Sequence, residues 1–99
     1  MKEIEYHPEA EREVIDAWQW YSAIDEQLGE RFKIELSRVE AQVQRAPETW
    51  DRYLHGTQAF RFKGFPFVLC YLNLKNRVIV VALIHTRRRP GYWAHRVKS

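Results

Sequence analysis

Positions 78–84 carry an unbroken apolar run, Val-Ile-Val-Val-Ala-Leu-Ile, and this run decides much of what the rest of the 99-residue chain can form. It is rich in β-branched residues and apolar on both faces, as a strand buried in the middle of a sheet is. Its seven residues are far fewer than the roughly 20 that a membrane-spanning helix needs. We therefore expect a small domain with an internal strand here, and no contact with a membrane.

The first quarter of the chain predicts a strand followed by a helix. Lys2 to Tyr6 alternates polar and apolar residues, as a half-buried strand does. Pro8 suits the first turn of a helix, where its missing N–H would have no partner anyway. From Ala10 onward, apolar residues recur at helical spacing, which predicts a first helix ending at about 22–25.

A longer apolar stripe between Leu28 and Ala46, with members every three or four residues, predicts a second helix. Asp25 can cap its first turn. Pro47 ends it, because the residue before a proline is pushed out of the helical region. Gly29 costs about 1 kcal/mol relative to Ala inside a helix, so we expect the helix to begin just after it.

The second half of the chain predicts sheet. After a loop over 48–58, residues 59–63 alternate, 67–72 are almost continuously apolar, and 78–84 form the third strand of this half. The element order is then β-α-α-β-β-β in one domain spanning residues 1–99. This order is typical of an α+β fold in which an antiparallel sheet is covered on one side by a helix pair.

Charge is divided unevenly along the chain. Residues 1–49 hold six Lys or Arg against twelve Asp or Glu, a net charge of −6, whereas residues 50–99 hold ten against one, a net charge of +9. Clustered positive charge attracts polyanions, which favours nucleic acid or a machine that handles it as the partner. An acidic protein is the alternative. A charged N-terminus and a single cysteine, Cys70, favour a reducing, cytoplasmic location.

Patterns for cofactors and metals are missing. The four glycines stand too far apart for a phosphate-cradling loop, and the four histidines lack metal-ligand spacing. We therefore expect neither a cofactor nor a metal. Glu9, Glu13 and Asp16 share a helical face, and a solvated acidic face explains them better than a catalytic pair of carboxylates does.

The basic half has the residue types for metal-free RNA cleavage. Attack by the RNA's own 2′-OH needs groups that exchange protons and cations that hold the phosphate charge. Arg61 and Lys63 are two apart on a predicted strand, so they should lie side by side on one face. Candidate catalytic residues are Arg61, Lys63, His85, Arg88 and Tyr92, and candidate RNA-binding residues are Arg87, Arg89, Trp93 and Arg96.

The basic segment 85–99 mixes arginines with aromatic rings, a combination that binds single-stranded nucleic acid. The alternative is that Tyr92 and Trp93 cover an edge of the core, while the arginines keep the protein in solution or pair with the acidic helices.

Several short motifs, in the order in which they follow one another along the chain, resemble motifs of the RelE/ParE toxins of bacterial type II toxin–antitoxin pairs. The likeness covers almost the whole chain and implies a small growth-inhibiting toxin with a RelE-like fold. It also implies a cognate antitoxin that holds the toxin inactive and alone contacts the operator DNA of the shared operon. The motifs are Leu28-Gly29-Glu30-Arg31-Phe32, Ala46-Pro47, Phe60-Arg61-Phe62, Phe65-Pro66-Phe67-Val68-Leu69-Cys70-Tyr71 and His85-Thr86-Arg87-Arg88-Arg89-Pro90-Gly91-Tyr92-Trp93 with Arg96.

The resemblance leaves two targets open. RelE-like members cut messenger RNA on the ribosome without metal, whereas ParE-like members block DNA gyrase and lack the catalytic cluster. Arg61, Lys63, Arg88 and Tyr92 match places of that cluster, which favours a ribosome-dependent mRNA endoribonuclease. The apolar strand at 67–71 lacks a further arginine of the nucleases, so gyrase inhibition stays an alternative. A non-catalytic module that binds RNA or the ribosome is the other one.

Overall fold

The computed structural model describes residues 2–97; positions 1, 98 and 99, including the end of the basic segment, lie outside this range. Short 3-10 turns occur at Leu54–Gly56 and Ala94–Arg96. Within the described range, no helix combines the length and the apolar character needed to cross a membrane. The strands and helices are β1 (Glu3–Tyr6), α1 (Pro8–Ile24), α2 (Glu26–Arg45), β2 (Asp51–Arg52), β3 (Gln58–Arg61), β4 (Phe67–Asn73) and β5 (Arg77–His85).

The strands form one sheet in the order β1-β5-β4-β3-β2. β1 runs parallel to β5, and the other neighbours are antiparallel. The predicted α+β class is confirmed, and the apolar run at 78–84 is an internal strand. Two details of the prediction need correction: the sheet is mixed, and the expected loop at 48–58 contains β2 and a 3-10 turn. The parallel pair is possible because both helices lie in the connection that follows β1.

The two helices meet at Asp25, which ends α1 and caps α2 by accepting a 2.9 Å hydrogen bond from Gln27 N. The cap prediction is confirmed, but α2 begins at Glu26 and includes Gly29. Gly29 is there because the helices approach closely: a Cβ on it would overlap Ser22 Oγ and lie 3.0 Å from Ser22 Cβ. The close approach outweighs the weak helix propensity of glycine.

Gly29→Ala should therefore destabilise the fold. Overpacking a close contact costs about 1–3 kcal/mol, and the better helix propensity of Ala returns about 1 kcal/mol of that loss. We expect urea denaturation to show a net loss of about 1 kcal/mol. Glu30→Ala, a change at the exposed neighbouring position, should stay within about 0.5 kcal/mol of the native protein. A Gly29→Ala protein as stable as the native one would contradict the packing argument.

The sheet has one covered face and one partly open face. The helix pair packs on the first face over a core that includes Phe32, Leu69 and Val80. On the second face the apolar residues, among them Cys70 and Ile84, pack against Trp93 and its neighbours in the chain that follows β5. This uneven covering leaves room for a groove on the second face.

Candidate functional site

The partly open face of the sheet carries a groove of about 460 Å³. Its apolar lining comes from Ala59, Val68 and Ile84, one residue from each of three neighbouring strands. We call it the arginine groove because its polar lining is dominated by arginine. The other lining residues are Asp51, Arg52, Tyr53, Arg61, Thr86, Arg88 and Pro90.

Sheet register explains why Arg61 lies in this groove. Arg61 pairs with Val68, which in turn pairs with Ile84. Residues paired across strands point to the same face, so Arg61 shares the open face with two apolar side chains. The edge strand β2 contributes Asp51 and Arg52 to the lining. Asp51 pairs with Ala59 and so shares the open face, whereas Arg52 pairs with Gln58 and lines the groove from its edge.

Arg88 comes to the groove from the turn after β5. Its backbone N–H donates a 2.9 Å hydrogen bond to the carbonyl of His85, which closes the turn. Its guanidinium lies 3.9 Å from the ring centroid of Tyr92, a cation–π contact that orients the side chain.

The residues of the arginine groove are of types that can bind an anion. Three arginine residues line it against one acidic residue, Asp51. Arginine can bind phosphate or carboxylate through two parallel hydrogen bonds. Tyr53, 37% exposed, adds a phenolic group to the lining. Across residues 2–97, His, Cys, Asp and Glu form no group of three or more that could hold a metal ion.

Asp51, Arg52 and Tyr53 could not be predicted as site residues, because the sequence over 48–58 has the pattern of a loop. β2 has only two residues, too few for an alternating pattern to appear. The available signal was composition alone: an acidic, a basic and an aromatic residue in a row before the tight turn at Gly56.

Lys63 lies outside the arginine groove. β3 ends at Arg61, and the backbone N–H of Lys63 donates a 2.6 Å hydrogen bond to Glu35 Oε2 on α2. Lys63 lines a separate depression with Ile34 and Phe65. The expectation that Arg61 and Lys63 lie side by side is therefore wrong, because strand geometry stops before Lys63.

The Glu35 carboxylate anchors this turn, so we expect the stability of the protein to decrease as pH falls. Hydrogen bonds from Arg38 and Lys63 N hold the pKa of Glu35 below its usual value of 4.5, despite an opposing effect of burial. Stabilisation by Glu35 is then complete above pH 4.5 and is lost as pH falls through the lower, folded-state pKa. Glu35→Gln should reduce the loss of stability below pH 4.5 in acid titrations followed by circular dichroism. An unchanged acid dependence would contradict the role given to Glu35.

Tyr92 and Arg96 belong to a hydrogen-bonded network around Glu13 of α1, which we call the Glu13 network. The Tyr92 hydroxyl donates to Glu13 Oε2 at 2.6 Å. Arg96 Nη1 donates to Glu13 Oε1 and to the carbonyl of Val81, both at 2.9 Å. Leu83 N also donates to Glu13 Oε1, at 3.0 Å.

The Glu13 network supplies hydrogen-bond partners for backbone groups of β5 at positions where no strand pairs with it on one side. β1 pairs with β5 only as far as Val80, so backbone groups beyond that point need other partners on that side. Val81 is an extra residue, since Tyr71 pairs with Val80 and Cys70 with Ala82. The network therefore attaches both α1 and the C-terminal segment to the sheet.

The network also changes the acid–base character of its members. Burial raises the pKa of Tyr92, and the hydrogen bond to Glu13 and the charge of that carboxylate raise it further. Burial alone lowers the pKa of Arg96, but the bonds to Glu13 outweigh it and raise the pKa overall. Tyr92 is thus a weaker proton donor at neutral pH than a free tyrosine.

Trp93 and Arg96 do not form an RNA-binding surface. The Trp93 side chain is 0% exposed, and its ring lies 5.9 Å from that of Tyr53 and 5.7 Å from that of His55. The Arg96 side chain is 6% exposed. A ring with no exposed surface cannot stack on a base, so the expectation that Trp93 and Arg96 contact RNA is wrong. The alternative, in which this segment covers the core and pairs with an acidic helix, is confirmed for these residues.

His85, Arg87 and Arg89 lie around the same turn. Arg87 and Arg89 are exposed, whereas His85 is half-buried with its ring edge-on to Phe67 at 5.3 Å. His85 lines a depression on the helix side of the sheet end, outside the arginine groove. Of the nine candidate site residues, the groove lining includes Arg61 and Arg88.

Comparison with known proteins identifies the fold. No protein-family model matches the chain, and no curated protein matches it. A solved chain described as "Chromosomal ParDE TA system from P. aeruginosa" is similar in structure, with a TM-score of 0.74 at 12% sequence identity. The similarity covers 88% of this chain and 98% of that chain. At this identity the similarity is one of fold, and it agrees with the predicted α+β fold.

Proposed function

We propose that this protein is the toxin of a type II toxin–antitoxin pair, and that it stops growth by binding its target without cutting RNA. The proposed target is DNA gyrase, the target of the ParE-like toxins that the sequence resembles. The observation that carries this choice is the hydrogen bond from the Tyr92 hydroxyl to Glu13.

RNA cleavage needs a proton acceptor, a proton donor and cations around one phosphate. Arg61 and Arg88 can supply cations from the arginine groove. The other three candidate catalytic residues do not line this groove. Lys63 lines another depression, and His85 lines a pocket on the other side of Arg88. The Tyr92 ring contacts Arg88, but its hydroxyl is bonded to Glu13. The groove is therefore better suited to holding an anionic surface than to breaking a bond.

An antitoxin is the proposed second partner. A chain of a ParDE toxin–antitoxin system has the same fold, which supports this assignment. The +9 net charge of residues 50–99 suits an acidic segment that folds on binding, and the arginine groove would be part of the surface that such a segment covers. Both partners would be met in the cytoplasm, and operator DNA only through the antitoxin.

A supercoiling assay with purified gyrase tests the proposed target. Gyrase, relaxed plasmid and ATP are combined with increasing amounts of the protein. We expect supercoiling to fall as the protein is added, and to recover when excess plasmid-free gyrase is supplied. Unaffected supercoiling at saturating protein would eliminate gyrase as the target.

The metal-free ribonuclease is the second candidate, and the convergence of Arg61 and Arg88 on one groove favours it. It predicts that programmed ribosomes accumulate messenger RNA cut in the decoding site. A protein that binds ribosomes, cuts no message and leaves gyrase active would instead be a non-catalytic binding module. Running the ribosome and gyrase assays on one preparation separates the three functions.

A further inference from the structure

A second depression lies on the other side of Arg88, between α1 and the ends of β4 and β5. We call it the His85 pocket; its volume is about 230 Å³, enough for a small ligand. The proposed function does not use it. Its lining residues are Glu13, Asp16, Ala17, Phe67, Leu83, His85 and Arg88.

Two side chains can donate hydrogen bonds in the His85 pocket. His85 Nδ1 accepts a 3.1 Å hydrogen bond from the backbone N–H of Arg87. This bond leaves the ring proton of a neutral His85 on Nε2, so the ring is a donor to a ligand. Arg88 adds its guanidinium, held against the ring of Tyr92 at 3.9 Å.

One carboxylate of the pocket, that of Asp16, can still accept hydrogen bonds from a ligand. Both oxygens of Glu13 are occupied by Tyr92, Arg96 and the backbone of Leu83. Asp16 has only an exposed ion pair with Arg12, at 3.3 Å. Exposed ion pairs of this kind contribute little to stability, so the Asp16 carboxylate can exchange its contact with Arg12 for hydrogen bonds from a ligand at a small cost in free energy.

The remaining lining is apolar, from Ala17, Phe67 and Leu83. A suitable ligand is therefore small, partly apolar, and has hydrogen-bond donors on one edge and acceptors on another. Guanine has this arrangement: N1–H and the N2 amino group can donate to a carboxylate, while O6 and N7 can accept from Arg88 and His85. Adenine would place its N1 acceptor against the Asp16 carboxylate, which is repulsive.

We propose that the His85 pocket binds the guanine base of a nucleotide, with Asp16 accepting from its Watson–Crick edge and a phosphate of the same nucleotide near Arg88. Arg88 also lines the arginine groove, so it stands between a base site and an anion site. This base site goes beyond the proposed function and does not depend on which target the toxin has.

Calorimetric titration of the whole protein with GDP, ADP and inorganic phosphate tests the proposal. We expect GDP to bind at least about tenfold more tightly than ADP, since one bidentate base contact provides discrimination of this order. Equal affinities for GDP and ADP, or affinities matched by phosphate alone, would overturn the guanine site.

Variants show whether Asp16 makes the distinction. Asp16→Asn should bring the affinities for GDP and ADP within about twofold of each other, because its amide presents a donor to guanine. Arg12→Gln breaks the same surface ion pair but keeps the carboxylate, and Glu11→Gln removes a different exposed charge of α1. Both controls should retain the preference for GDP. A preference that survives Asp16→Asn would refute the assignment.

A further titration shows whether the bound guanine belongs to a free nucleotide or to a nucleic-acid chain. Single-stranded oligoadenylate with one internal guanine is titrated against the same oligomer without it. Preference for GDP marks a free nucleotide as a ligand, and preference for the guanine-containing oligomer marks a nucleic-acid chain; either result supports the site. Growth arrest by Asp16→Asn is scored in parallel, so that loss of guanine preference with intact toxicity separates this site from the proposed toxin function.

Discussion

Replacing Arg61 and Arg88 together by alanine should abolish growth arrest in cells that express the protein alone. Hydrogen bonds to charged groups contribute about 1.5–3 kcal/mol each, so losing two arginines weakens target binding about 100-fold or more. Loss of the contact between Arg88 and Tyr92 costs about 1 kcal/mol of stability, too little to unfold the domain. Growth curves after induction, with the amount of soluble protein measured beside them, give the result.

The matched control removes two cations from the other end of the sheet. Lys75 and Arg77 are exposed and belong to the same basic half, but neither lines the arginine groove. The Lys75→Ala/Arg77→Ala protein has the same net charge as the groove variant and should remain toxic. Equal loss of toxicity in both double variants would show that total charge matters and that the groove does not.

Breaking the Glu13 network should produce the largest loss of stability. Removing one partner of a buried ion pair leaves the other charge uncompensated and costs about 3–5 kcal/mol. Arg96→Met keeps an unbranched side chain but leaves Glu13 without its cation and the Val81 carbonyl without its donor. For a domain of this size, a loss of about 3 kcal/mol lowers Tm by roughly 12–24 °C. Thermal unfolding followed by circular dichroism measures the shift.

Two comparisons make this prediction specific. Glu9 also contacts Arg96, at 3.4 Å, but it is exposed, so Glu9→Gln should cost much less than Arg96→Met. The Glu13→Gln/Arg96→Met double variant should lose less than the two single losses combined, because the residues share one interaction. An Arg96→Met protein with the Tm of the native protein would mean that the network does not hold the C-terminal segment.

Most of the fold could be predicted because its signals are local. The helices follow from regular apolar stripes and from Asp25, whose cap uses a residue two positions away. The strands β4 and β5 follow from continuous apolar runs. The parallel pairing of β1 with β5 could not be predicted, since it joins Glu3 to Arg77 across most of the chain.

The site was harder to predict because its residues are sorted by distant contacts. Arginines beside aromatic rings have the same local pattern whether they bind RNA or attach a terminus. In this protein, hydrogen bonds to Glu13 attach Tyr92 and Arg96 to the first helix. Glu13 lies 79 positions before Tyr92 and 83 before Arg96, so the local sequence does not reveal these contacts. Lys63 was misplaced for a related reason: its backbone N–H bonds to Glu35 on a helix that precedes the strand by many residues.

The most direct test of the central claim is induced expression of the protein alone in a bacterial host. Primer extension on abundant transcripts and the topology of a resident plasmid are then measured in the same cells. We expect growth arrest with intact transcripts and a relaxed plasmid. Growth arrest with new RNA ends and a normally supercoiled plasmid would contradict it.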